Sequence, residues 1–214
     1  MPDDELLVEL LECQNNTRVG HITLNSPETL NSLTLNMVNK ISILLDEWEA
    51  DPSVKMVIFS GTGEKAFCAG GDIRALYESM CSSEGPFFAE KFFESEYRLD
   101  YKMHKFSKPI VSILDGIVMG GGAGLMFGSS YRISTERTRF AMPEIGVGLF
   151  PDVGFTSVIK TLPDGLGLYM MLTATQLSAK DTIFCNLTDA SIKSEDINYL
   201  LSEITENIWL DEFQ

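Results

Sequence analysis

Histidine is scarce in this chain of 214 residues, which has two, His21 and His104. A Ser-His-Asp or Cys-His arrangement would have to use one of them, and neither has a nucleophile elbow nearby. A zinc site would need more His and Cys at ligand spacing than the chain offers, so no metal is expected. The four cysteines are far apart and form no CxxC. Met1 is followed by acidic residues, not by a basic and then apolar leader, and an Arg-rich amphipathic start is missing too. Reduced thiols in a cytoplasmic compartment are expected, or in a mitochondrial matrix if the source is eukaryotic. Long apolar runs are also lacking. None reaches the roughly 18 residues of a membrane span, so no membrane partner is expected. Cations are outnumbered, with 16 Lys and Arg against 31 Asp and Glu, a net charge of −15. That argues against a nucleic-acid partner, whose phosphates need clustered Lys and Arg. A small polyanion stays open, because backbone N–H groups at helix starts can hold phosphate.

What is present suits a globular domain with its own core: 44% hydrophobic and 22% charged residues. Leu6 to Glu12 and Arg18 to Asn25 read as strands joined by a turn at Gln14-Asn15-Asn16. Thr34 to Glu49 reads as a helix capped by Thr34, with Met37, Ile41, Leu44, Leu45 and Trp48 at helical spacing. Lys55 to Ser60 is a buried strand stopped by Gly61-Thr62-Gly63. Helices are predicted for Asp72 to Met80, from Pro86 to about Lys105, and for Ala123 to Phe127. Pro109 to Leu114, Tyr131 to Ser134 and Arg139 to Met142 read as strands. Asp152 to Thr161, Leu166 to Leu172 and Asp196 to Trp209 look helical. This alternation in β-β-α steps predicts an α/β fold, sheets covered by helices, although no internal sequence repeat is visible.

Three segments can carry chemistry. Ala66-Phe67-Cys68-Ala69-Gly70-Gly71-Asp72 and Asp115-Gly116-Ile117-Val118-Met119-Gly120-Gly121-Gly122 each put glycines before a predicted helix. Glycine lets N–H groups approach a ligand closely, and a helix start offers free donors and partial positive charge. Two such starts facing each other would make an oxyanion hole. The plainer reading is tight turns and close helix–sheet packing. Cys68 reads as a small packing residue rather than a nucleophile. Gly61-Thr62-Gly63-Glu64-Lys65 lacks the Walker pattern.

The third segment, Met142 to Gly154, holds Glu144 and Asp152. Glu144 stands among Ile145, Val147, Leu149 and Phe150. Apolar surroundings disfavour a charged carboxyl and fit it to act as base, acid or nucleophile near neutral pH. Asp152 stands at a predicted helix start, where a plain N-cap is the alternative. Glu96, in Phe92-Phe93-Glu94-Ser95-Glu96-Tyr97, reads by spacing alone as a solvated helix face.

Taken together these segments resemble the crotonase (enoyl-CoA hydratase/isomerase) superfamily. Within it, Phe140-Ala141-Met142-Pro143-Glu144, Gly148-Leu149-Phe150-Pro151-Asp152-Val153-Gly154, Thr34-Leu35-Asn36-Met37 and Phe92-Phe93 through Glu96-Tyr97 are similar to the branch that hydrolyses 3-hydroxyisobutyryl-CoA. The resemblance covers roughly residues 6 to 190. It implies a crotonase-like spiral of β-β-α units, with residues 1–190 as core domain. Residues 191–214 would be the start of a C-terminal helical region that is shortened here. It implies an oxyanion hole from the Gly71 and Gly121 amides. Glu144 would be nucleophile or base, Asp152 would orient substrate and water, and Glu96 would reach the polar end of the substrate. Lys65, Ala66, Ala69, Gly70 and Asp72 would lie along coenzyme A. The acyl-CoA is the substrate, with no separate cofactor, and a homo-oligomer is compatible with this. Hydratases of the superfamily carry a second Glu where this chain has Gly124, which disfavours hydration. Two alternatives stand beside hydrolysis. One is a hydratase or isomerase using Glu144 alone; the other is a catalytically weak binding subunit.

Overall fold

The computed structural model describes residues 5–82 and 85–207. Its organising unit is a strand in one sheet, a strand in a second sheet, then a turn or helix. β1 (Leu6–Glu12) and β2 (Arg18–Leu24) form an antiparallel lead-in. α1 (Leu35–Ala50) follows, its N-cap Thr34 accepting from the Met37 N–H at 3.1 Å. The first unit is β3 (Val54–Gly61), β4 (Ala66–Cys68) and α2 (Ile73–Met80). The long α3 (Phe87–Lys105) comes next. The second unit is β5 (Ile110–Leu114), β6 (Ile117–Met119) and α4 (Gly121–Phe127). The third is β7 (Tyr131–Thr135) and β8 (Arg139–Ala141), followed by a 3-10 turn at Glu144–Val147. Then come α5 (Phe155–Val158), α6 (Leu166–Thr173), β9 (Leu177–Ser178), α7 (Ala179–Phe184), β10 (Ala190–Ile192) and α8 (Ile197–Glu206).

The first strand of each unit joins a six-stranded sheet ordered β1-β2-β3-β5-β7-β10. The second joins a four-stranded sheet ordered β4-β6-β8-β9. Between units all pairings are parallel: β3–β5 and β5–β7 in the large sheet, β4–β6 and β6–β8 in the small one. Three successive units therefore end side by side. The repeat is one of topology, which explains why no sequence repeat marks it.

One face of the large sheet packs on α1 through Met37, Val38, Ile41, Leu45 and Trp48. Trp48 lies flat on β2, where a Cβ on Gly20 would come within 2.4 Å of its ring. On the other face Val19, Met56, Ile58, Val111 and Ile113 pack against Ile204 of α8. A line drawn between residues 190 and 191 falls inside β10, which pairs with β7. The crossing from β5 to β6 is locked by a buried Asp115. It accepts from Arg137 Nε at 2.9 Å and Thr135 Oγ1 at 2.6 Å. Asp115, part of a segment singled out for chemistry, is thus a structural anchor.

The helix expected over Asp152 to Thr161 is only one turn, α5, followed by a 3-10 turn at Ile159–Thr161. Positive φ at Val153 and Gly154 keeps the chain from turning helical any earlier. The last helix begins at Ile197, one residue later than expected; the expected end, Trp209, lies outside the described residues. Strands β4 and β6 are additional to the expected set, each only three residues long and too short for a pattern to reveal it.

Asn31 ties the lead-in to the first unit. It is fully buried at φ 55. Its Oδ1 accepts from the Ser26 N–H at 2.9 Å, and its Nδ2 donates to the carbonyls of Thr62 and Ala66 at 3.0 and 2.8 Å. Replacing Asn31 with Ala strands all three partners, at a cost of about 3 kcal/mol. A urea-unfolding midpoint should show this with the slope unchanged. A loss below about 1 kcal/mol would mean the clamp is redundant.

Candidate active site

The ends of β4, β6 and β8 deliver three groups to one place. After β4 the chain turns through Gly70, at φ +106, into Gly71. Gly71 forms a parallel bridge with Leu33. The bridge uses the Gly70 carbonyl, which accepts from Leu33 N–H at 2.7 Å, and the Asp72 N–H, which donates to Leu33 at 3.0 Å. Neighbouring residues along an extended chain aim their amides oppositely, so the Gly71 N–H points away from Leu33. A side chain at Gly71 would strike the Phe92 ring, 2.9 Å from its Cβ position. After β6, Gly120 at φ +51 turns the chain into Gly121, the first residue of α4. A first-turn amide has no intrahelical acceptor and is free. The two glycine segments touch: the Gly70 Cβ position is 3.3 Å from the Gly121 nitrogen. After β8, Glu144 brings its Oε1 to 3.5 Å from the Gly120 Cβ position.

Both glycines were expected to precede helices directly. Only Gly121 does. α2 begins at Ile73, and its N-cap is Asp72, whose carboxylate accepts from the Ala75 N–H at 3.0 Å. The Gly71 amide is freed by strand alternation, not by a helix start. Asp152 likewise is not a helix N-cap, since Gly154 precedes α5. Instead its Oδ2 accepts from the Tyr97 hydroxyl at 2.5 Å. The strained φ of +42 at buried Val153 fixes the turn beside it, a conformation costing on the order of 1–3 kcal/mol for a non-glycine residue.

Gly71, Gly121, Glu96, Glu144 and Asp152 all line one cavity of about 130 Å³, with Ala69 and Gly70 at its rim. That volume is too small for a nucleotide. Lys65, Ala66 and Asp72 are not among its lining residues. Ala66 is buried in β4, and the Lys65 carbonyl accepts from the Ile117 N–H. Glu96 is only 3% exposed, which corrects the solvated-face reading from spacing alone. It occupies the apolar stripe Phe92, Glu96, Leu99, Met103 along α3, a buried-acid signal that the sequence does carry.

Glu144 is 6% exposed, but not through the whole of its flanking sequence. Ile145 and Phe150 are exposed and do not line the cavity; Val147 and Leu149, though also partly in solvent, do line it. The covering comes from the cavity walls. Burial, then the charge of Asp152, push the Glu144 carboxyl up to about 7. Burial holds Glu96 well above the carboxylate range, with Asp100, Asp152 and Glu144 adding to it. Asp100, which the sequence gave no reason to single out, is pushed up to about 8 by burial and by Asp152. Neither oxygen of Glu144 has a hydrogen-bond partner among the described residues. Cys68, buried and pushed up to about 12 by burial, stays a thiol. No group of three His, Cys, Asp or Glu side chains is placed to hold a metal ion among the described residues.

Two glycine amides sharing a cavity with an acid pushed up to about 7 are an arrangement suited to chemistry at a carbonyl group whose oxygen gains charge. The Enoyl-CoA hydratase/isomerase family model matches residues 19–213, and the chain belongs to that family. It is 42% identical to the mitochondrial 3-hydroxyisobutyryl-CoA hydrolase of Danio rerio over 189 residues, 88% of this chain and 49% of that one. A probable 3-hydroxyisobutyryl-CoA hydrolase of Arabidopsis thaliana is also 42% identical, over 91% of this chain and 50% of its own length. The chain therefore spans about half the length of these curated relatives. A solved carnitinyl-CoA dehydratase from Mycobacterium thermoresistibile superposes with TM-score 0.87 at 38% identity, covering 95% of this chain and 58% of its own.

The buried acids set a pH dependence of stability. Glu144 and Asp100 have folded values above their ordinary ones of 4.5 and 3.8. Between the two values the folded chain holds more protons than the unfolded chain, so stability falls as pH rises. The contribution of these two acids should be fully present below about pH 4 and be lost steadily from about pH 4.5 to 8, with Glu144→Gln flattening the part below about pH 7. Thermal melts across that range check this. A wild-type melting point that rises from pH 6 to 8 would contradict the burial described here.

Proposed function

We propose that this chain hydrolyses a short-chain 3-hydroxyacyl-CoA thioester, with 3-hydroxyisobutyryl-CoA as the leading candidate. The observation that carries the proposal is the Glu144 carboxyl, buried and titrating near neutrality, beside the Gly71 and Gly121 amides. The small cavity volume and the names of the relatives support a short acyl group.

The thioester carbonyl oxygen would accept from the two glycine amides. Glu144 would take a proton from water, whose oxygen bonds to the carbonyl carbon. As the tetrahedral oxyanion collapses, the carbon–sulfur bond breaks and sulfur leaves with the proton from Glu144. The products are the free acid and coenzyme A thiol. Glu144 attacking the carbon itself, with water then cleaving the anhydride, gives the same balance. Each amide donor would contribute roughly 3–4 kcal/mol to the transition state. Asp152, oriented by Tyr97, would position water and substrate. Glu96, protonated by its burial, would hydrogen-bond the polar end of the acyl group. Coenzyme A, part of the substrate, would run past Lys65, Ala66, Ala69, Gly70 and Asp72. No metal or redox cofactor enters this scheme. The protein would work in a compartment of reduced thiols, which its four free cysteines support.

Glu144→Gln should lower thiol release from 3-hydroxyisobutyryl-CoA by at least about 100-fold while coenzyme A binding is kept. Unchanged turnover would refute the assignment. Crotonyl-CoA hydration, assayed beside hydrolysis, separates this reading from a hydratase. Binding without turnover over a panel of short acyl-CoAs would favour a binding subunit.

A further inference from the structure

α3 and α4 meet by seating acids on glycines. Glu96 and Asp100 stand one turn apart on α3, opposite Gly121 and Gly124 of α4. A Cβ on Gly121 would lie 2.1 Å from Glu96 Oε1, and one on Gly124 2.6 Å from Asp100 Oδ1. Asp100 thus fills space that any side chain at position 124 would take. Its Oδ2 is sealed by the surrounding protein and has no hydrogen-bond partner among the described residues, as is true of Glu96 Oε1. A buried polar atom left unmet costs on the order of 1–3 kcal/mol. In folded proteins such atoms are met by ordered water where the space is polar and large enough.

The two acids face different spaces. Glu96 lines the small cavity, and Asp100 lines a larger one of about 780 Å³. Asp152 alone of the four acids lines both, so the two cavities adjoin at this residue. Tyr97 occupies Asp152 Oδ2 and leaves the other oxygen to accept.

We propose that Asp100 is a further positioning residue of this site: with Asp152 it holds, where the two cavities adjoin, the water that hydrolysis consumes. The proposal rests on the hydrolase reading. Burial and the neighbouring Asp152 charge keep Asp100 protonated at neutral pH. It can therefore donate to a water that in turn donates to Asp152. Glycine at position 124 is what admits this acid from α3.

Two substitutions test the idea. Asp100→Leu keeps the branched shape, though it is bulkier, and holds no water; Asp100→Asn keeps both size and a polar head. Asp100→Leu should lower kcat about 100-fold with KM within about two-fold. Asp100→Asn should recover most of that loss. An unchanged kcat in Asp100→Leu, a loss confined to KM, or equal losses in both variants would overturn the proposal. Coenzyme A binding by calorimetry and a melting curve show that each variant is folded. A crystal structure of the wild-type chain gives a readout independent of turnover: a water bridging Asp100 and Asp152, gone in Asp100→Leu. If the wild type releases no thiol from any thioester, the hydrolase reading fails, whatever the water shows. If hydrolysis is intact and that position is dry, this inference fails alone.

Discussion

The parallel alignment of β4, β6 and β8 is the constraint on which the site depends. Each strand is only three residues long or close to it, yet their pairing puts Cys68, Met119 and Ala141 at one edge of the small sheet. The next residues of each unit must then leave that edge together. The first unit leaves through Gly70 and Gly71, the second through Gly120 and Gly121, the third through Pro143 and Glu144. Ligands in parallel sheets collect at the carboxyl ends of strands for this reason. The glycines belong to the same constraint. Segments that approach to 3.3 Å between a Cβ position and a nitrogen leave no room for side chains. Slip one strand of the small sheet by a residue, and the two amides and the carboxyl no longer share a cavity.

The site is assembled at a cost in stability. Glu96, Asp100 and Glu144 carry buried oxygens without partners among the described residues, and Val153 adopts a conformation disfavoured for a β-branched residue. Local rules broken together in one place mark sites where function overrides folding preference. The compensation is found close by. Phe127 of α4 stacks on Phe155 and meets Phe140 edge-on, with ring centroids 5.8 and 5.9 Å apart. This apolar packing ties α4, α5 and β8 together behind the acids. Each such aromatic pair contributes about 0.5–1.5 kcal/mol beyond its buried area.

Elements with strong periodicity were legible in the sequence. α1 shows its apolar stripe and its Thr34 cap, and α3 follows Pro86 as expected. The ladder of β1 and β2 matches its sequence pattern as well. Elements that exist only through pairing were not. β4 and β6 are too short for a pattern of their own, and β10 is a strand because β7 lies beside it. The glycines and Glu144 were legible because their residue types are unusual in context, whereas the reason for Glu144's burial was not. Of its neighbours in sequence Ile145 and Phe150 stay outside the cavity, and much of the lining around it comes from α3 and the β4–α2 turn. Asp100 was hidden for a related reason. Its spacing, four residues after Glu96 and three before Met103, puts it beside the buried stripe of α3, but only the facing glycine on α4 reveals its place.

The acid cluster raises an electrostatic question that the proposed reaction must answer. The chain already carries −15, and an oxyanion beside four carboxyls would be repelled if all were charged. They cannot all be charged. Groups this close titrate as a set, each ionisation raising the cost of the next. Burial pushes all three up: Glu96 well above the carboxylate range, Asp100 to about 8 and Glu144 to about 7. At neutral pH the first two are therefore neutral hydrogen-bond donors, and Glu144 is the group that exchanges its proton. A site lined with acids can hold a developing negative charge because most of those acids are kept from ionising. The packing of α3 on α4 that empties positions 121 and 124 of side chains is what enforces that state.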